Sequence, residues 1–160
     1  MPKTKERIIQ LIELNAGAMK FILDGINEDN VHNRPAENCN SAHFIFGHMI
    51  NSRVEMVKIL GAEASHPWGE IFSYGAKIKE SSPYPPLKEL QEVWDDATKK
   101  LKERLDEITV EELDAEGPFE IKPLPKTIGG CISFLIFHES YHIGQIGYLR
   151  RFLGLDAAFG

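Results

Sequence analysis

The sequence holds very little cysteine: Cys39 and Cys131 are the only two among 160 residues. They form neither a CxxC pair nor a disulfide framework. A thiolate zinc cluster and a disulfide-stapled fold are thereby excluded, and reduced thiols suit a cytoplasmic location. An excess of positive charge is also missing. The chain has 18 Lys and Arg against 24 Asp and Glu, a net charge of -6. Its lysines are scattered among acidic residues, which leaves no basic face to neutralise phosphates. Nucleic acid is therefore not an expected partner. No run of about 18 apolar residues occurs, so no membrane span is expected. The nearest approach, Ile128 to Phe137, is cut short by His138, Glu139 and His142. The segment MPKTKERIIQLIEL is charged and amphipathic and lacks the features of a signal peptide. Repeats and low-complexity tracts are missing too.

What is present is helical periodicity. The apolar content of 42% and charged content of 26% are those of an ordinary globular chain. Its length suits a single domain, residues 1–160, with one core. A stripe at Ile8, Leu11, Ile12, Met19, Ile22 and Ile26 predicts a first helix from about Lys3 to Asn27. A second begins at Asn40 or Ser41, either a good N-cap, and stops at Gly61. The third, LKELQEVWDDATKKLKERLDEI, carries Leu87, Leu90, Val93, Trp94, Ala97, Leu101 and Leu105 on one face. TVEELD reads as a short turn with a Thr109–Glu112 capping box. The last helix runs from a Thr127 cap to about Leu153 and ends at Gly154.

Four long helices with one apolar face each predict an all-α four-helix bundle. Ala62 to Pro86 is the longest irregular stretch. Roughly ten extended residues cover the length of a 22-residue helix, so this crossover can return along the bundle. Helices two and three can then run parallel. The expected topology is up-down-down-up, with up-down-up-down as the alternative.

Histidine placement is the chemical signal. His138 and His142 lie in HESYH, one turn apart, on a face shared with Leu135, Tyr141, Gln145 and Leu149. Such a pair can hold a metal ion, as in HExxH, with Glu139 in the place of the protease base. It can equally be two hydrogen-bonded imidazoles. His48 lies mid-helix in FIFGHMIN, on a face with Phe44, Ile45 and Ser52. Neighbouring helices can bring it opposite the pair, giving three neutral ligands and open positions, as in catalytic zinc sites. His43 is about 140° around the helix from His48 and should point elsewhere. His32 and His66 fall in loops and read as solvent-facing.

SAHFIFGHMINSRVEMVKILG and FHESYHIGQIGYLRRFLG resemble the two signature helices of the DinB/YfiT-like metalloenzyme family, the DinB superfamily. The resemblance implies that His48, of the "GH" pair, joins His138 and His142 as metal ligands. It covers essentially the whole chain, and only these two helices carry specific motifs. It also implies a homodimer and, from relatives that use bacillithiol or mycothiol, a low-molecular-weight thiol as substrate.

A divalent ion on three imidazoles, zinc or nickel, can activate water or deprotonate a thiol. The first makes a hydrolase and the second a thiol S-transferase. Thiol transfer to an electrophile is the expected function. A hydrolase and a non-catalytic metal- or ligand-binding stress protein are the alternatives. No catalytic side chain is assigned. Gln145 and Tyr141 can hydrogen-bond an imidazole or simply pack. Glu55, two turns after His48 on the same face, reads as a solvated helix-end residue, with a base or hydrogen-bond acceptor as the alternative. Cys131 reads as a small buried residue, and Arg150 and Arg151 as charges suited to a helix C-terminus. Trp68, Phe72, Tyr74 and Tyr84 are expected to cover the core or to line a pocket mouth.

Overall fold

The computed structural model describes residues 2–79 and 82–159. Among these residues the chain is all-helical, with five helices and no β-strand. They are α1 (Pro2–Leu23), α2 (Ala42–Ile59), α3 (Leu87–Glu107), the short α4 (Val110–Asp114) and α5 (Ile128–Phe152). No helix among the described residues is long and apolar enough to cross a membrane.

Local chemistry sets most of the ends. The Ser41 hydroxyl accepts from the Phe44 amide at the start of α2, and Thr127 accepts from Gly130 at the start of α5. Thr109 and Glu112 form the reciprocal capping box of α4. Gly61 and Gly154 take the positive φ values, 83° and 80°, that follow the ends of α2 and α5. α1 ends earlier than its apolar pattern predicts, at Leu23 rather than near Asn27. The reason lies in Gly25 and Arg150. Gly25 turns the chain at φ 78°, and Arg150 donates to the carbonyls of Ile22 and Asp24. Arg150 is thus buried and occupied, not simply a charge near a helix dipole. Only Arg151 keeps that role, exposed in the last turn of α5.

The helices bury the predicted stripes against one another. Leu87, Leu90, Trp94, Ala97, Leu101 and Leu105 of α3 are all buried, as are Ile8, Ile12, Met19 and Ile22 of α1. Leu11 was expected inside and is 47% exposed. Glu13 of α1 pairs with Lys102 of α3, while Lys5 reaches the carbonyls of Asp106 and Ile108. Rising numbers on α1 therefore meet falling numbers on α3. Between α2 and α3 the numbers rise together: Phe46 meets Trp94, Arg53 meets Thr98, and the Leu60 carbonyl meets Arg104. They also rise together between α1 and α5, from Asn15–Glu139 to Ile22–Arg150.

The crossover from Ala62 to Pro86 contains no helix among its described residues, yet it is anchored. Phe72 is completely buried, worth about 1.5–3 kcal/mol of transfer free energy for a side chain of that kind. Asn51 of α2 donates to the Gly69 carbonyl at 2.9 Å. Tyr74 is 93% exposed, whereas Trp68 and Tyr84 pack partly against the core. Of the four crossover aromatics, three cover the core and one faces solvent.

Candidate metal centre

α2 and α5 pack directly on each other and bring three histidines together. His48 comes from the middle of α2, and His138 and His142 come from consecutive turns of α5. One nitrogen from each ring lies within 4.8 Å of the other two. His138 Nε2 stands 3.2 Å from His48 Nε2 and 3.0 Å from His142 Nε2. All three side chains are partly buried.

The other ring nitrogens decide what that convergence means. His48 Nδ1 lies 2.8 Å from the carbonyl oxygen of Phe72. A carbonyl can only accept, so Nδ1 carries the proton and Nε2 bears the lone pair. His142 Nδ1 lies 2.6 Å from Gln145 Oε1, and Gln145 Nε2 in turn donates to the Tyr141 hydroxyl. His142 is therefore protonated on Nδ1 as well. His138 Nδ1 faces Ser52 Oγ at 3.2 Å, while the Ser52 hydroxyl is directed at the His48 carbonyl. That leaves Ser52 Oγ to accept from His138 Nδ1. In this arrangement all three Nε2 atoms present lone pairs to one another. Three lone pairs cannot hydrogen-bond among themselves, and a cation placed between them would satisfy all three.

A proton is a poor candidate for that cation. Burial pushes the His138 pKa down to about 4, with help from the neighbouring His142 and His48. Burial also lowers His142, partly offset by its bond to Gln145. A divalent ion fits better. Zinc–imidazole bonds of about 2.0–2.1 Å in tetrahedral geometry place ligand nitrogens about 3.3 Å apart, close to the 3.0 and 3.2 Å found here. Neutral imidazole suits zinc and nickel alike. The group able to hold a metal among the described residues is these three histidines, with no Cys or carboxylate joining it.

Glu139 does not take the place that the HExxH pattern gives it. It is fully buried and accepts from Arg53 on both carboxylate oxygens. Asn15 donates to it at 3.3 Å. Arg53 is also fully buried, donates to Thr98 at 2.7 Å and lies 3.7 Å over the Trp94 ring. Adjacent helical residues point about 100° apart, so Glu139 turns into the core while His138 turns toward α2. The pair ties α1, α2, α3 and α5 together beneath the histidines.

The remaining residues fall as follows. His43 is buried, points away from the cluster and donates through Nε2 to the Pro85 carbonyl. His32 is exposed and stacks on His43, with ring centroids 4.4 Å apart. His66 is half-buried rather than solvent-facing, because Nδ1 accepts from the Trp68 amide. Glu55 is exposed. Cys131 is buried and directs its thiol at the Phe119 carbonyl. Gln145 is the orienting partner of His142, and Tyr141, 57% exposed, supports Gln145. Sequence reasoning placed Ser52 on the His48 face without giving it a task. It missed Arg53 and the Phe72 carbonyl. A lone arginine flanked at three and four residues on either side by Met49, Ile50, Met56 and Val57 is the signal that would have found Arg53.

Comparison with known proteins bears on both helices. The family model of the DinB superfamily matches residues 11–146, a span that includes all three histidines. No curated protein matches the chain.

Proposed function

The chain belongs to the DinB superfamily, and from that membership and the three converging imidazoles we propose a metal-dependent thiol S-transferase. In this reading the chain is one up-down-down-up four-helix bundle, and His48, His138 and His142 hold one zinc or nickel ion. The observation that carries the reading is the set of Nδ1 bonds to Phe72, Gln145 and Ser52, which leave three lone pairs facing one another. When bound, the ion would supply positive charge that lowers the pKa of a small thiol.

The chain's own residues would orient the site. The Phe72 carbonyl, Gln145 and Ser52 fix the three rings, and Tyr141 holds Gln145. Glu139 is not placed as a proton acceptor, since it is sealed against Arg53. The thiol proton passes to solvent. Sulfur then forms a bond to the electrophilic carbon, and a halide leaves with its electron pair, or an epoxide oxygen opens and takes a proton.

The test is consumption of a small thiol and an activated halide or epoxide by the zinc- or nickel-loaded protein. The metal-stripped protein and His48→Ala are the controls. A rate at least tenfold above both controls is expected. Rates equal to the controls would reject the transferase. Metal-dependent ester or amide hydrolysis would then favour a hydrolase, and inactivity with metal bound would favour a binding protein.

The reading includes a homodimer. Phe137, Tyr141, Tyr148 and Phe152 recur along one face of α5 and are 48–74% exposed, and Phe21 and Phe159 lie in contact at 64% and 61%. At about 150–250 Å² per ring, the four α5 rings leave on the order of 500 Å² of aromatic surface in water, more than half of the roughly 800 Å² per partner of a standard interface. Light scattering should give twice the chain mass of 18.1 kDa, and a monomer at micromolar concentration would reject the dimer.

A further inference from the structure

Gly47 directly precedes His48 on α2, and its missing side chain is a socket. A Cβ built there would lie 2.5 Å from three ring carbons of Phe72, closer than van der Waals contact permits. The Phe72 ring occupies that gap and is fully buried, with Phe44, His43 and Tyr84 around it at centroid distances of 5.8–5.9 Å. The same residue offers its carbonyl to His48 Nδ1 at 2.8 Å. One crossover residue therefore does two things: its ring anchors in the Gly47 gap, and its backbone aims His48. Asn51, donating to the Gly69 carbonyl, adds a second side-chain hydrogen bond between α2 and this part of the crossover.

We propose that Phe72 is the positioning residue for His48, with Gly47 as its socket, so that docking of the crossover and metal binding form one coupled equilibrium. The inference rests on the three-histidine metal reading. With the crossover docked, the carbonyl holds the proton on Nδ1 and the lone pair on Nε2. With it undocked, His48 is free to rotate and to carry its proton on either nitrogen. Metal binds the docked form more tightly, and by reciprocity it strengthens docking by the same factor. Removing partners that orient a ligating histidine weakens metal binding by roughly 10–100-fold, which sets the expected scale.

Zinc affinity is measured by chelator competition for the wild type, Gly47→Ala, Phe72→Ala and Gly47→Ala/Phe72→Ala. Each single variant should bind zinc about 10–100-fold more weakly. The double variant should be no weaker than Phe72→Ala alone, because the added methyl then meets no ring. Losses that multiply in the double variant, or wild-type affinity in folded single variants, would overturn the proposal. Phe72→Leu keeps an anchor in the socket and should retain most of the affinity. It also serves if Phe72→Ala fails to fold.

Two further readouts separate this idea from the metal reading and from a merely structural role. Imidazole ¹⁵N spectra of the metal-free protein should show His48 protonated on Nδ1 in the wild type and as a tautomer mixture in Gly47→Ala. His142 should be unchanged. An unaltered His48 tautomer would refute the positioning role even if zinc bound poorly. Conversely, a wild type that binds no zinc but shows the tautomer shift would reject the metal reading and keep the positioning role. In the wild type, zinc should slow hydrogen exchange at the amides of Ile71 and Phe72, and equal exchange with and without bound zinc would refute the coupling.

Discussion

Replacing Glu139 with alanine should destabilise the fold by about 3–5 kcal/mol, the scale for removing one partner of a buried ion pair. Both side chains of the Arg53–Glu139 pair are 0% exposed. Without the carboxylate, Arg53 keeps Thr98 and the Trp94 face but loses the acceptor of two of its donors. Asn15 also loses its carboxylate partner. Urea unfolding followed by circular dichroism measures the change. The pair itself need not add net stability, because desolvating two charges offsets their attraction. Arg53→Met/Glu139→Leu, which removes both charges and keeps the volume, should therefore recover most of the loss. A change below about 1 kcal/mol in Glu139→Ala would mean that water reaches Arg53 and that the pair is not sealed.

That pair also shows where sequence reading stops. The long helices were legible because apolar residues recur at helical spacing and because Ser41, Thr127 and Gly154 mark ends by their own chemistry. The end of α1 was not, since Arg150, 128 residues away from Ile22, helps to close it. Leu11 fits the apolar stripe of α1 yet is nearly half exposed, because periodicity cannot tell how wide a buried face is. His138 and His142 were legible as a candidate pair from their spacing, and His48 as their candidate partner from its place on an apolar face and from the family resemblance. The letters HExxH misplaced Glu139. Helical phase turns it about 100° from His138 and into the core against Arg53, and the motif does not say which side is core.

The orienting groups were the least legible part of the site. A serine one turn after His48 is an ordinary helical residue until His138 stands beside it. The Phe72 carbonyl has no side-chain signature at all, since every residue carries one, and the crossover shows no periodicity that would place it. Gly47 was visible only as half of a "GH" pair. Its physical task, leaving room for a ring from 25 positions later, needs the packed structure. The candidate ligands were thus readable from residue type and spacing, whereas the orientation of their rings depends on backbone brought in from elsewhere.

Changing His142 to alanine should weaken zinc binding by more than about 100-fold, beyond the loss expected from removing an orienting partner. Circular dichroism should change little, because the four apolar faces bury the core without the ion. Unchanged metal stoichiometry by elemental analysis would sink the ligand assignment. His43→Ala and His66→Ala should retain wild-type stoichiometry, since His43 bonds Pro85 and His66 bonds Trp68. The pH dependence gives an independent check. Three free imidazoles with pKa near 6.5 would lose roughly a thousandfold in affinity per pH unit below that value, one factor of ten per proton displaced. Here burial holds His138 down near 4 and lowers His142. Fewer protons compete, so between pH 6.5 and 5 the affinity should fall more shallowly than that. A full three-proton slope in this range would mean that the rings are not desolvated. The same shift acts on the metal-free fold with a definite sign. A histidine whose folded pKa is depressed leaves the unfolded chain binding more protons. Stability is therefore full above about pH 6.5 and is lost as pH falls toward 4. Bound zinc should oppose that loss, because it occupies the lone pairs that protons would otherwise take.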